Sequence, residues 1–257
     1  MTTPQAGATP AKKHPPFRLP DIPEKDPDDM TSSKHLARNG NMYRLAEHMG
    51  NPDNIIVSGE RYICAEPGSP IRYPDLLVSF NADPELYEAN NGYVVSLQGK
   101  PPDLVLEIAS RATGHIDTGE KPDFYAGLGI AEYWRFDETG DFHGEKLGGD
   151  RLVDGAYQPI PLQTLADGSL RGFSQVLGLY MRWYRGKLDL IDPDTVRPIA
   201  SLDSLKEELR QIVALAEEER QLRESAEARA REERQLREMA EARIRELEEQ
   251  LGQNQSH

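Results

Sequence analysis

An acidic side chain lies inside the most apolar run of the chain. Glu107 interrupts the run Leu-Val-Leu-Glu-Ile-Ala at 104–109, which otherwise has the composition of a buried strand. An ionised carboxylate in such a run is unfavourable unless another group pairs with it. A second acid, Asp75, precedes the apolar run 76–78, and Lys121 ends the segment Asp-Thr-Gly-Glu-Lys at 117–121. Two strand carboxylates and a nearby lysine are the groups used to hold a divalent cation and hydrolyse a phosphodiester.

Each of these residues also has a purely structural explanation. Asp75 follows Pro74 and would then simply begin a strand, and Glu107 would form a buried salt bridge with an arginine. Lys121 in the first turn of a helix would be a solvated charge, and Asp117 would be a helix cap. The three residues occur in the order strand acid, strand acid, helix lysine. This order favours a common site, because such a combination is far less expected by chance than any one of these residues alone.

The surrounding sequence predicts the elements that carry these residues. Alternation along 104–110 places Leu104, Leu106 and Ile108 on one face and Glu107 on the other, which we expect small residues to line. Pro122 is tolerated only in a first turn, so the helix that carries Lys121 is expected to begin between 118 and 121. The remaining predictions are a helix over about 31–49, strands at 55–57, 61–64, 76–80 and 132–137, and hairpins near 140, 148–149 and 154–155.

The motifs over 74–137 resemble a nuclease family. The quoted stretches are Pro-Asp-Leu-Leu-Val at 74–78, Pro-Asp-Leu-Val-Leu-Glu-Ile-Ala-Ser at 102–110, Asp-Thr-Gly-Glu-Lys at 117–121, Tyr-Ala-Gly-Leu-Gly-Ile at 125–130 and Glu-Tyr-Trp at 132–134. Together they are similar to the putative restriction endonuclease (Uma-type endonuclease) family of the PD-(D/E)xK nuclease superfamily. The resemblance covers about a quarter of the chain.

The resemblance implies a set of site residues and a reaction. Asp75 and Glu107 would be metal ligands for Mg²⁺ or Mn²⁺, and Asp75, Glu107 and Lys121 would be the catalytic residues, with DNA as the substrate. The superfamily usually places its lysine two residues after the second acid, where this chain has Ala109. Lys121, on the following helix, takes that role instead. The usual Ser-Pro-Ser-Thr turn is Ser-Arg-Ala-Thr at 110–113, without the proline.

Composition restricts the class of protein. The chain has 257 residues and a net charge of −14. Residues 205–251 hold fourteen acids and ten bases, so that segment carries −4 and residues 1–204 carry −10. An acidic body argues against non-specific nucleic-acid binding. The single cysteine, Cys64, excludes an intrachain disulfide, and neither a signal peptide nor a membrane span is recognisable. We therefore expect a cytoplasmic protein.

The C-terminal segment has a different composition. Gly and Pro are absent from 204 until 251, and the segment 218–224 recurs, residue for residue, at 232–238. A repeat of 14 residues is two heptads, which favours a long helix with coiled-coil character and a possible homodimer through 205–251. A single solvated helix held by Glu–Arg pairs explains the repeat equally well.

These elements define the predicted organisation. The fold class is α/β (α+β), a restriction-endonuclease-like mixed sheet flanked by helices with a long C-terminal helix. The expected segments are a disordered arm at 1–29, an endonuclease-like domain at 30–203, a helical tail at 204–251 and a disordered end at 252–257. The expected function is metal-dependent phosphodiester hydrolysis on DNA. The alternatives are a catalytically inactive binding or assembly module of the same fold, and a protein whose main functional part is the tail.

Overall fold

The computed structural model describes residues 17–22, 33–38, 40–50, 53–111, 113–200 and 202–254. The chain divides at Leu202 into two compact units, the body and the C-terminal helix. Within the described residues, no helix is long and apolar enough to cross a membrane.

The body alternates short strands with short helices. Strands β1–β12 span, in order, Ile55–Ser58, Tyr62–Cys64, Leu76–Phe80, Gly92–Val94, Leu104–Ile108, Glu132–Phe136, Leu147–Val153, Ala156–Pro159, Leu162–Thr164, Leu170–Ser174, Leu179–Tyr184 and Lys187–Ile191. Helices α1–α6 span Asn41–His48, Pro84–Ala89, Val95–Gln98, Gly114–Thr118, Glu120–Leu128 and Leu202–Asn254, and Ser33–Arg38 forms a π-helical segment. The mixed α/β fold class is therefore as predicted.

A six-stranded mixed sheet in the order β1-β3-β5-β6-β7-β8 forms the centre of the body. Strands β5 and β6 pair in parallel, and the other neighbours in this sheet pair antiparallel. The β3–β5 register places Leu76 opposite Leu106, so the next step along both strands places Asp75 opposite Glu107. Directly opposite residues project from the same face of a sheet.

The two faces of this sheet pack against different elements. One face packs on the four-stranded antiparallel sheet β12-β11-β10-β9, in a core that includes Leu76, Leu106, Trp134, Met181 and Leu190. The other face carries the helices and a second core, whose members include Leu77, Val105, Tyr125, Ile130 and Tyr133. Glu107 shares the face of Val105, because side chains two residues apart lie on one side of a strand.

The predicted strands near the site are confirmed, whereas several other local predictions need correction. The helix expected over 31–49 is a π-helical segment and α1, separated at Gly40, which has a φ of 69°. Gly148 and Gly149 lie inside β7 rather than in a turn. A Cβ at Gly149 would meet the ring of Trp134 at 2.7 Å, so this glycine allows close packing on the tryptophan. The predicted hairpin at Asp154–Gly155 is confirmed, since both residues have positive φ.

Part of the predicted N-terminal arm is packed on the body. Leu19 is buried with Cys64 and Val94, and its amide donates to the carbonyl oxygen of Asn90 at 2.8 Å. The prediction of disorder is wrong for this short segment. Residues 1–16 and 23–29 of the arm, 255–257 of the predicted disordered end, and Thr31 and Ser32 at the start of the helix predicted over about 31–49 lie outside the described residues.

Candidate functional site

Two carboxylates meet at the ends of β3 and β5. Asp75 immediately precedes β3, and Glu107 is the fourth residue of β5. The Oδ2 atom of Asp75 accepts a hydrogen bond from the amide of Ile108 at 2.8 Å, which fixes this carboxylate against β5. Glu107 is 1% exposed. The sheet register therefore holds both acids together on the helical face.

A lysine on the following helix completes the ion-pair network. The Nζ atom of Lys121 lies 2.8 Å from Oε2 of Glu107 and 2.7 Å from Oδ1 of Asp117. Lys121 is the second residue of α5, and Pro122 follows in the same first turn, where its missing amide hydrogen breaks no helical bond. The helix ends at Gly129, whose φ of 85° is the left-handed conformation of a C-terminal cap.

Further side chains orient this network. The hydroxyl of Tyr125, one turn after Lys121, donates to Oε1 of Glu107 at 2.7 Å. The Oδ2 atom of Asp117 lies 3.0 Å from Nε2 of His143, and the carbonyl oxygen of Asp117 accepts from the hydroxyl of Tyr133 at 2.7 Å. Both oxygens of Glu107 and both oxygens of Asp117 therefore lie within hydrogen-bond distance of a fixed side chain.

The electrostatics of the cluster favour retention of a proton by Glu107. Burial is the largest influence on this carboxyl, and the charge of Lys121 opposes it; with the further repulsion of Asp75 and Asp117, the pKa of Glu107 rises to about 8. Burial alone would raise the pKa of Asp117, but the hydrogen bond from His143 and the charge of Lys121 lower it. The cluster thus has more carboxylates than one lysine neutralises.

The acidic partners hold the lysine in its charged form. Burial would lower the pKa of Lys121, but the charges of Glu107 and Asp117 outweigh burial and raise it above its ordinary value. At neutral pH the ammonium group of Lys121 is therefore a hydrogen-bond donor and a fixed positive charge.

The structure brings together the three predicted residues Asp75, Glu107 and Lys121, but their surroundings differ from expectation. The partner of Glu107 is a lysine rather than the arginine of the structural alternative. The face around Glu107 is not lined by small residues alone, since Tyr125 bonds to it directly and Tyr133 packs against Tyr125.

Sequence reasoning gave three members of the network no role in the site, and the helix cap considered for Asp117 is wrong, because Asp117 lies inside α4. Asp117 and Tyr125 flank Lys121 at four residues on either side, and this helical spacing is a signal that would have indicated them. His143 has no local signal, because it follows β6 and lies 26 residues from Asp117. The histidine closer in sequence, His115, is exposed and lies in α4.

The residues present fit a small divalent cation. Mg²⁺ prefers oxygen ligands and retains several waters, so one or two carboxylates suffice to hold it. Asp75 and Glu107 supply two facing carboxylates in a cluster with an excess of acids, and a cation would offset their mutual repulsion. No group of three or more His, Cys, Asp or Glu suitable for a metal occurs among the described residues. Two carboxylates are enough for an Mg²⁺ ion that keeps its remaining waters.

A cleft of about 740 Å³ opens beside the network. It lies between α5 and strands β6 to β8, and His143 and Thr118 contribute to its wall. Its charged lining consists of Asp123, Arg135, Glu145 and Asp150. Arg135 is paired within this set, with its guanidinium 2.9 Å from Glu145 and also bonded to Asp150. The cleft is predominantly acidic.

The sequence places this chain in a known family. The sequence profile of the Uma2 family, described as putative restriction endonuclease, matches residues 29–179, more than half of the chain. The chain belongs to the Uma2 family. The matched region contains Asp75, Glu107, Asp117, Lys121 and His143.

A structural comparison finds a similar protein at low identity. It is a crystal structure described as a putative nuclease belonging to DUF820 from Anabaena variabilis ATCC 29413, with 12% sequence identity and a TM-score of 0.36. The similarity covers 56% of this chain and 74% of the other. No curated protein matches the chain.

Proposed function

We propose that this Uma2-family chain is a metal-dependent endonuclease that hydrolyses phosphodiester bonds in DNA. Asp75 and Glu107 hold Mg²⁺ or Mn²⁺, and Lys121 assists the attacking water. The observation that carries the proposal is the buried pair of facing carboxylates with Lys121 at 2.8 Å from Glu107, in a member of a family of restriction-endonuclease type. The choice of DNA over RNA follows the family and not the geometry.

The side chains have separate roles in this mechanism. A bound divalent cation supplies Lewis-acid polarisation of the phosphoryl oxygen and lowers the pKa of a bound water. Lys121 remains protonated, so it acts as a donor that orients the water or stabilises charge developing on the phosphate rather than as a general base. Tyr125 fixes the carboxylate of Glu107, and Asp117 with His143 fixes the ammonium group of Lys121.

A cleavage assay tests the proposal. Supercoiled plasmid, linear duplex and single-stranded RNA are incubated with protein in the presence of Mg²⁺, Mn²⁺ or EDTA. We expect DNA cleavage that requires the ion and is lost in Glu107→Gln. Glu120→Gln is the matched control, because it removes an exposed acid next to Lys121 that pairs with Arg72 outside the network. Ion-dependent cleavage that persists in Glu107→Gln would contradict the assigned role.

The acidic charge of the body supports a second candidate function. The charge of −10 over 1–204 opposes binding to a polyanion, and the turn after β5 lacks the usual proline. In this alternative the fold is a catalytically inactive binding or assembly module that works through its helical tail. Retained ion binding, detected by calorimetry, without cleavage of any substrate would favour this alternative.

Pairing between two copies through 205–251 belongs to both candidates. Helix α6 exposes large apolar side chains on a segment otherwise rich in charge, namely Leu209, Ile212, Leu215, Leu222, Leu236 and Met239. Burial of such side chains against a second copy stabilises a dimer by about 1.5–3 kcal/mol for each one fully buried. Sedimentation analysis across a range of protein concentrations tests this pairing.

A further inference from the structure

The central part of α6 has a regular seven-residue pattern. Taking Leu222 as a d position, the a positions over 219–240 are Glu219, Ala226, Glu233 and Ala240. The d positions over 222–243 are Leu222, Arg229, Leu236 and Arg243. All eight side chains are exposed on the described helix. In a two-stranded coiled coil the a and d residues face the partner, so this seam alternates small, large, acidic and basic groups.

The arrangement of these groups is complementary to itself in one direction only. We infer that α6 pairs with α6 of a second copy as an antiparallel coiled coil whose two-fold axis passes at residue 231. In antiparallel pairs each a residue faces a d residue of the partner. The axis at 231 places Glu219 opposite Arg243, Glu233 opposite Arg229, Ala226 opposite Leu236 and Ala240 opposite Leu222. Every acid meets a base, and every alanine meets a leucine.

A parallel, in-register pair would lack this complementarity. Each seam residue would face its own copy, so Glu219 would meet Glu219 and Arg229 would meet Arg229 in the interface. Like charges in direct opposition are destabilising, and two facing alanines bury little apolar area. Alternation of a small residue with a large one across the seam fills the space between the helices better than two of the same size.

Residues beside the seam favour a parallel pair, but their contribution to stability is smaller. A parallel pair would place Glu218 near Arg223 and Glu232 near Arg237, whereas the antiparallel pair places Arg223 near Arg237. Such flanking pairs remain solvated, and exposed ion pairs contribute little to stability. Charges at seam positions lose more water on pairing, so their matching decides the direction.

The same residues also define the register. A shift of one heptad in the antiparallel pair would place Glu219 opposite Leu236 and Ala226 opposite Arg229, leaving every seam charge against an apolar side chain. A shift of two heptads would keep Glu219 opposite Arg229 and Ala226 opposite Leu222 but would place Glu233 opposite Leu215, so only the axis at 231 matches all eight seam residues.

The proposal rests on the homomeric pairing of 205–251 and adds its direction and contacts. It competes with pairing inside one helix, in which Arg223 lies 2.8 Å from Glu219. That intrahelical contact connects exposed groups and leaves the leucines uncovered, with Leu222 63% and Leu236 61% exposed. The antiparallel pair covers these leucines and retains a charge partner for each seam glutamate.

Charge reversal in the full-length protein tests the direction. In the antiparallel pair, Glu219→Arg faces Arg243 twice in each dimer, so we expect the dissociation constant to rise by about tenfold. The double variant Glu219→Arg with Arg243→Glu restores the matched pairs and the original dissociation constant. Glu217→Arg is the control, because it makes the same charge change two residues away from the seam. Equal effects of Glu217→Arg and Glu219→Arg would overturn the assigned contacts.

Disulfide mapping separates failure of the direction from failure of the pairing. In the double variant Ala226→Cys with Leu236→Cys, oxidation is expected to join residue 226 of one copy to residue 236 of the other. Mass spectrometry of the digested protein identifies the joined peptides, and the native Cys64 is buried. Bonds joining 226 to 226 would overturn the antiparallel direction and leave the pairing intact. A wild-type protein that sediments as a monomer at high concentration would overturn both, without bearing on the nuclease site.

Discussion

Two buried glutamates on adjacent strands of the central sheet illustrate opposite uses of the same residue. Glu107 on β5 and Glu132 on β6 are each 1% exposed, and they project from opposite faces. The carboxylate of Glu132 accepts hydrogen bonds from Nε1 of Trp134 at 3.0 Å, the hydroxyl of Ser174 at 2.5 Å and the amide of Gln175 at 2.9 Å. The guanidinium of Arg151 lies 3.0 Å away.

The difference lies in whether the neighbours satisfy the charge. Glu132 is surrounded by donors and one arginine, and within the part of the chain that the structure describes their hydrogen bonds and ion pairs involve no second acid. Glu107 shares Lys121 with Asp117 and faces Asp75, so its surroundings contain more negative charge than the lysine offsets. A buried acid whose charge is matched contributes to the fold, whereas one in a cluster with excess negative charge indicates a position where a cation belongs.

The largest expected effect separates the two residues by activity. Glu107→Gln is expected to reduce DNA cleavage by at least about a thousandfold, since it removes a proposed metal ligand. It is also expected to abolish the rise in melting temperature that Mg²⁺ or Mn²⁺ produces, because only a ligand that binds the native state stabilises it. Metal-free Glu107→Gln should melt no lower than wild type, because the neutral amide removes the repulsion with Asp75 and Asp117. Equal responses of wild type and variant to the ion would show that Glu107 is not a ligand.

The next effect concerns stability, where we expect substitution of Glu132 to cost more than substitution of Glu107. Glu132→Gln is expected to lower the free energy of unfolding by about 2–3 kcal/mol, because it leaves Arg151 without its charge partner and disturbs three donors, two of them buried. Urea denaturation measures the change. Glu145→Gln, in the loop before β7, is the control, since it removes an acid that is 43% exposed and should change stability by less than about 0.5 kcal/mol. An equal loss in both variants would refute the distinction.

The pH dependence of stability tests the raised pKa of Glu107. The pKa of Glu107 is raised to about 8 in the folded protein, whereas an unfolded glutamate titrates near 4.5. Between these values the unfolded chain binds fewer protons than the folded one, so the contribution of Glu107 is present below pH 4.5 and is lost as pH rises to about 8. Its slope is up to roughly 1.4 kcal/mol per pH unit. Denaturation of metal-free Glu107→Gln at several pH values should lack this decline, and an unchanged slope would contradict it.

The smallest expected effect tests whether His143, through Asp117, orients Lys121. His143→Ala removes the ring that holds Asp117 and is expected to reduce cleavage by about tenfold, because Lys121 loses its orientation. His143→Gln can place an amide nitrogen where Nε2 lies and should retain activity within about twofold of wild type. His115→Ala, at an exposed position, is the control. Equal loss in the Ala and Gln variants would show that His143 acts otherwise than through this hydrogen bond.

Local patterns in the sequence predicted the parts of the site that depend on short segments. The apolar run around Glu107, the acid before β3 and the position of Pro122 led to β3, β5 and the start of α5. The contacts of His143 and the packing of Leu19 were not predictable, because they depend on residues brought together across the fold. The segment 81–100 showed no period, since α2, β4 and α3 are each six residues or shorter.

The two oxygens of Glu107 are both held from α5, by side chains one helical turn apart, Lys121 and Tyr125. Because the rise is about 1.5 Å per residue, an axial slide of the helix by a single step would disrupt both bonds together. The carboxylate is thus coupled to the helix as one mechanical unit. Fraying of the first turn of α5 would release Lys121 and break its bond to Glu107. The rate of amide hydrogen exchange in that turn therefore reports how often this bond opens.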